Sequence, residues 1–178
     1  MEWNEKSMIE ACQKQCKDAQ KALLHKYQNK FLGICLRYVD NQEIAEEILM
    51  DSFMTIFQKI KLYKENSFEG WMKTIVIHKA IDYYRKHKND PIISDIETEE
   101  WRSPKKHQNN NLEVQDLLQL LKTLPLGYRL VFNLFAIEGF GHKEIAVKLD
   151  ISENTSKSQY RKAKMKLQEI LVKEGYHG

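Results

Sequence analysis

Cys12, Cys16 and Cys35, with the pair His78 and Asp82, are the residues whose types first suggest metal or acid-base chemistry. Cys12/Cys16 and His78/Asp82 are each four residues apart, a spacing that puts both side chains on one face of a helix. His25 or Cys35 could extend the first pair, but no four-ligand set is evident, and the second pair has no matching partner pair. A Gly-rich phosphate loop and a Ser-His-Asp set are both missing from the sequence. The expectation is therefore no metal, no cofactor and no intrinsic catalysis. An odd number of cysteines cannot close a disulfide framework, so buried thiols in a reducing compartment are expected.

What remains is the chemistry of binding. His78, Lys79, Arg85, Lys86, His87 and Lys88 are interleaved with Tyr83 and Tyr84. Cations bind phosphates and flat rings stack on exposed bases, although either tyrosine could equally fill a core. A second basic stretch runs from Ser156 to Lys166, with Lys157, Arg161, Lys162, Lys164 and Lys166 and no acid. Between Tyr38 and Gln58 the balance reverses: Glu43, Glu46, Glu47 and Asp51 accompany Met50 and Met54, without Lys or Arg. That segment would repel DNA, whereas carboxylates around adaptable methionines suit a basic protein partner. The net charge of +3 is too small to diagnose nucleic-acid binding, so its uneven distribution carries the argument.

The elements that must position these groups follow from composition and periodicity. With 178 residues the chain has room for one ordinary domain or two very small ones. Only seven glycines and three prolines are available as breakers, which favours an all-α protein over one rich in β-turns. No run of 18 apolar residues could cross a membrane, and the first 20 residues hold no apolar signal-peptide core, so a cytoplasmic protein is expected. All three prolines lie between 91 and 125, amid the acids Asp90, Asp95, Glu97, Glu99 and Glu100. The chain is accordingly divided into a helical bundle over 1–88, a flexible linker over 89–111 and a second helical domain over 112–178.

Within the first domain a helix is expected from about Lys6 to Tyr38. A second follows with Ile44, Ile48, Leu49, Phe53, Ile56, Phe57 and Ile60 turned inward, and a third from Ser67 or Phe68 to His87 with Phe68, Trp71, Met72, Ile75 and Ile81 inward. In the second domain a helix opens near Gly127, after Leu117, Leu118, Leu120, Leu121 and Leu124. Gly139-Phe140-Gly141 breaks the pattern before a short helix over 142–149, with Ile145, Ala146, Leu149 and Ile151 inward. Ser152 then caps a long basic helix from about Glu153 to Val172. Helix, tight turn, helix with one-sided charge is the pattern of a DNA-reading helix-turn-helix. On these residues alone a free-standing helix-turn-helix regulator and a purely protein-binding adaptor both remain open.

Taken in order, the segments resemble the small extracytoplasmic-function (ECF) sigma factors of bacterial RNA polymerase. Residues 45–53, AEEILMDSF, resemble the family's polymerase-binding helix, and FEGWM over 68–72 with IDYYR over 81–85 resembles its promoter-melting helix. LP at 124–125, YRLVF over 128–132, KEIA over 143–146, SENT over 152–155, KS at 157–158 and RKA over 161–163 resemble its second domain. The resemblance implies that Glu43, Glu46, Glu47, Met50, Asp51 and Met54 dock on the clamp helices of the polymerase largest subunit. It assigns Tyr63, Lys64, Asn66, Trp71, His78, Lys79, Asp82, Tyr83, Arg85 and Lys86 to the minus-ten element, where the loop from Lys61 to Ser67 helps capture a flipped base. Thr155, Lys157, Ser158, Gln159, Arg161 and Lys162 would serve the minus-thirty-five element. Polymerase core, promoter DNA and an anti-sigma factor are the implied partners, without membrane insertion. Four positions depart from the family pattern: Met50 stands for Gln, His78 for Asn, Ser156 for Val and Gln159 for Arg.

Overall fold

A computed structural model describes residues 3–64, 67–88 and 119–173. Among them the ordered elements are helices and the connections between them, in agreement with the all-α expectation. The linker expected over 89–111, together with Asn66, Leu117 and Leu118, lies outside the described residues. The chain divides into two compact units, Met1–Tyr83 and Tyr84–Gly178.

The first unit begins with α1 (Glu5–Gln13) and α2 (Lys17–Cys35), where the sequence pattern predicts one helix from 6 to 38. The break is a left-handed Gln15, with φ of 62°. Around it the Cys16 amide donates to the Ala11 carbonyl at 3.0 Å and the Gln15 amide to Cys12 at 2.9 Å, a pairing that closes a helix on a left-handed residue. Glycine usually marks such an ending; a glutamine there leaves no signal. The break also removes Cys12 and Cys16 from a common helix face, since Cys16 precedes the first turn of α2.

Ala19, Leu23, Tyr27 and Phe31 recur every fourth residue on α2 and are all buried. Against them lies α3 (Gln42–Lys59), which starts where the Asn41 side chain accepts the Ile44 amide at 3.1 Å. Phe31 and Phe53 join the two helices with ring centroids 6.0 Å apart. After a 3-10 turn over Ile60–Leu62, where a plain loop was expected from Lys61, the chain enters α4 (Phe68–His87). Ser67 Oγ caps α4 by accepting the Gly70 amide at 3.1 Å. Its buried stripe is Phe68, Met72, Val76, Ile77, Ala80 and Ile81, so the expected inward Trp71 and Ile75 lie at its edge, half-buried. A stripe centred on Met72, Val76 and Ala80 leaves residues one position away only partly covered.

In the second unit, helical residues 119–122 lead through Pro125 into α5 (Leu126–Phe132), which widens into a π-helical turn over Asn133–Ile137. Then follow α6 (His142–Leu149) and α7 (Glu153–Lys173). Gly139 supplies a φ of 79° and Asp150 one of 56°, so both turns flanking α6 use the left-handed region. Glu144 accepts the Gly141 amide at 2.8 Å, and Ser152 Oγ accepts the Thr155 amide at 2.9 Å, capping the two helices. Leu120, Leu121 and Leu124 pack with Ala163, Leu167 and Ile170 of α7, while Ile145 and Leu149 of α6 are buried. Ala146 and Ile151, expected inward with them, are half-buried.

The thiols give this packing a chemical readout. Burial, with a smaller contribution from Cys16, pushes the Cys12 thiol up to about 11, and burial pushes Cys35 up to about 12. A raised pKa means that at pH 8 only about one Cys12 thiol in a thousand is the reactive thiolate. Iodoacetamide at pH 8 should therefore modify half-exposed Cys16 first and spare Cys12 and Cys35 until the chain unfolds. Equal rates at all three, followed by peptide mass spectrometry, would contradict this packing.

Candidate protein and nucleic-acid interfaces

The apolar side of α3 is consumed by the core, which leaves its opposite side to solvent. Glu43, Glu46, Glu47, Met50, Asp51 and Met54 are all exposed, and alternating steps of three and one keep them on a single face. Met50 is 50% and Met54 57% exposed, so two large apolar side chains stand in water among four carboxylates. The polar Ser52 on the inner side donates its hydroxyl to the Ile48 carbonyl at 2.6 Å and brings no unsatisfied group into the core.

On α4, Thr74, His78, Asp82 and Arg85 are exposed at helical spacing, with Lys86 beside the last of them. This stripe contains four of the residues expected to meet DNA and adds Thr74, whose hydroxyl donates to the Gly70 carbonyl at 3.0 Å. Three others are engaged within the protein. Trp71 is half-buried, stacked on Phe68 with centroids 5.8 Å apart, and Tyr63 lies 5.5 Å from Trp71 and edge-on to Phe68 at 5.0 Å. Lys79 turns toward α3 and donates to Asp51 at 2.8 Å, joining a residue expected to meet DNA to one expected to meet polymerase. Lys64 is exposed and Tyr83 half-buried.

The basic helix α7 sorts its residues in the same way. Ser156, Ala163, Leu167 and Ile170 are buried, whereas Asn154, Lys157, Ser158, Arg161 and Lys164 are exposed. Of the six residues expected here, Lys157, Ser158 and Arg161 share the outward face. Lys157 donates to Glu153 one turn earlier at 2.7 Å, a contact that holds the Glu153 carboxyl below its ordinary range. Thr155 is half-buried with its hydroxyl 2.8 Å from that of Ser152, and exposed Lys162 places its ammonium 5.9 Å from the centre of the Tyr128 ring. Gln159 faces α5, its Nε2 within 3.2 Å of where a side chain on Gly127 would begin. Lys164 belongs to the basic stretch already read from the sequence, and Asn154 is an addition that the helical period, extended by one turn toward the N-terminus, would have found.

Aromatic packing holds α6 and α7 in register. His142, the first residue of α6, stacks on Phe135 with centroids 4.3 Å apart and planes at 12°, and Phe135 lies 4.5 Å from Tyr160. The His142 Nδ1 is 2.9 Å from the hydroxyl of the fully buried Ser156. A ring nitrogen in this setting needs a polar partner, which accounts for a serine at an inward position of the helix.

Ser156→Ala should accordingly cost about 1–2 kcal/mol in urea unfolding, because the half-buried imidazole loses its hydroxyl. Adding His142→Phe keeps a flat ring on Phe135 without a polar demand and should recover most of that loss. A double variant no more stable than the single one would rule out this coupling.

Comparison with known proteins bears on the same two units. Residues 23–89 match the sigma-70 region 2 family and residues 114–167 the sigma-70 region 4 family. The ECF RNA polymerase sigma factor SigM of Bacillus subtilis is 25% identical over 146 residues, 81% of this chain and 90% of that protein. SigV of the same organism is 29% identical over 150 residues, covering 83% of this chain and 88% of that protein. The match to the ECF sigma factor SigE of Mycolicibacterium smegmatis, at 24% identity, covers 85% of this chain and 61% of that protein. Among solved structures, the sigma factor RpoE bound to the anti-sigma factor NepR from Bartonella quintana shares the fold with a TM-score of 0.51 at 22% identity, over 85% of this chain and 96% of that one. CnrH in complex with the cytosolic domain of CnrY also gives 0.51, at 17% identity over 93% and 96% of the two chains. Two helical units that match regions 2 and 4 in the family's own order, with ECF factors among the relatives, lead to one conclusion: the chain belongs to the sigma-70 family of RNA polymerase sigma factors, in its extracytoplasmic-function group.

Proposed function

We propose that the chain is a promoter-specificity subunit that docks on RNA polymerase core through the exposed face of α3 and reads two promoter elements, one with each unit. The observation that carries this reading is the α3 face itself, where four acids and two exposed methionines share one side of a helix whose other side is buried. Asp51 also pairs with Lys79 of α4, but packing makes no use of two methionines standing in water among carboxylates, and a basic partner with an apolar centre would. Region 2, assigned to 1–88, supplies the minus-ten contacts from the His78, Asp82 and Arg85 stripe with Lys86. Region 4, assigned to 112–178, lays the outward face of α7 in the major groove of the minus-thirty-five element. The family is one of initiation factors rather than enzymes, and the polymerase performs the chemistry. Because the structural relative RpoE is bound to the anti-sigma factor NepR, an anti-sigma partner is part of the proposal. So is action in the cytoplasm, where promoters are read; among the described residues no helix is long and apolar enough to cross a membrane.

Glu47→Lys combined with Asp51→Lys should weaken association with purified core polymerase by tenfold or more while circular dichroism stays unchanged. Core affinity unaltered at moderate salt would place docking elsewhere. Runoff transcription with core separates this function from that of a free-standing regulator, which would bind duplex DNA and initiate nothing.

The Asp51–Lys79 pair yields a second expectation. With Asp51 exposed and Lys79 half-buried, the pair is worth about 1 kcal/mol, so a competing charge can displace either partner. Asp51→Asn should raise the affinity of the free chain for a single-stranded oligonucleotide more than Glu43→Gln does, and Lys79→Gln should cancel the gain. Equal effects of the two acid substitutions would show that general charge alone is responsible. At the departure from the family pattern, His78→Asn should shift the preferred base in the opened strand, and unchanged preference among all four bases would remove His78 from the reading set.

A further inference from the structure

We infer that Asn154 is the residue through which α7 distinguishes an adenine-bearing base pair, and that Gln159 is a packing residue with no base to read. The inference rests on the proposed docking of α7 in a major groove and identifies which side chain decides specificity there.

A side-chain amide presents a donor and an acceptor together, the combination that meets N6 and N7 of adenine in the major groove. Three residues of α7 carry one: Asn154, Gln159 and Gln168. Recognition helices reach base edges with their N-terminal turns. Gln168 stands fourteen residues after Asn154, about 21 Å further along the axis at 1.5 Å per residue, beyond those turns.

Gln159 is excluded by its surroundings. Its Nε2, Cδ and Oε1 lie 3.2, 3.6 and 3.7 Å from the point where a Cβ on Gly127 would stand, so the entire amide rests on the bare backbone of α5. The residue is half-buried, and any side chain larger than hydrogen at position 127 would crowd it. Gln159 and Gly127 therefore form a matched contact between α5 and α7, on the side away from the exposed face.

Asn154 has the opposite setting. It is exposed in the first turn of α7, and Lys157, Ser158 and Arg161 follow it by three, four and seven residues on the same face. Other polar groups near this end are already committed: Ser152 caps the helix through Thr155, Ser158 donates its hydroxyl to the Thr155 carbonyl at 2.9 Å, and Glu153 accepts from Lys157. Lys157 and Arg161 supply phosphate or guanine contacts. The directed donor-acceptor pair at the leading end of the face is the Asn154 amide.

The test uses the full chain and a pool of DNA duplexes randomised over about one helical turn, followed by sequencing of the bound fraction for wild type, Asn154→Ala, Gln159→Ala and Arg161→Ala. Wild type should enrich a motif containing at least one strongly preferred adenine. Asn154→Ala should lose discrimination at that position by about tenfold or more and keep the others. Gln159→Ala should enrich the wild-type motif and lower only the melting temperature. An unchanged motif with Asn154→Ala, or an altered one with Gln159→Ala, overturns the inference. So does a loss of affinity with Asn154→Ala that is equal on every sequence and lowers the salt slope, since that marks a phosphate contact. Failure of the underlying reading looks different: no motif emerges even for wild type, and Arg161→Ala leaves duplex affinity intact.

Discussion

Phe53 is 1% exposed and sits 6.0 Å from Phe31, and the burial of this side of α3 governs what its other side can do. An α-helix whose apolar residues recur every three or four positions has to cover that stripe, and covering it turns the remaining residues outward as a set. Six consecutive face positions, from Glu43 to Met54, are presented in this way without a loop or special backbone geometry. A face built on a packed helix keeps its spacing, because moving any one of its residues would require uncovering Phe53 or Ile56. The same constraint acts in the second unit, where burial of Ala163, Leu167 and Ile170 orients the basic face of α7.

Charge is distributed between faces with equal economy. Carboxylates gather on α3 and cations on α4 and α7, so opposite partners are sorted before contact, over distances of about a Debye length. Where the two kinds of surface come close they are cross-linked: Lys79 with Asp51 between helices, and Lys157 with Glu153 within one helix. Lys157 is exposed and Lys79 half-buried beside an exposed Asp51, so both pairs are open to solvent on at least one side and of low energy. The free chain thus keeps part of its positive charge covered by its own acids.

Packing in the second unit relies on a polar contact at an inward position of a helix. Ser156 and His142 meet at 2.9 Å inside an aromatic group formed by Phe132, Phe135 and Tyr160. A serine hydroxyl is directional where a valine methyl is not, so α6 is held to α7 by an orientation-dependent bond as well as by covered area. The left-handed residues Gly139 and Asp150 at either end of α6 allow that short helix to turn back toward its partner.

Composition and local pattern determined the all-α class, the approximate bounds of α4, α6 and α7, the Ser67 and Ser152 caps, and the outward face of α3, because each depends on residue types or on residues close in the chain. The order of the motifs was enough to identify the family. What the sequence left open was decided either by a backbone conformation without its usual residue or by a neighbour remote in sequence. Gln15 ends α1 in a conformation that glycine would have announced. Trp71 is drawn toward Tyr63 and Phe68, Lys79 toward Asp51, and Gln159 toward Gly127, and none of these preferences is written in the residue itself. A side chain's type states which bonds it can form; which of them it does form is decided by what the fold brings within about 3 Å of it.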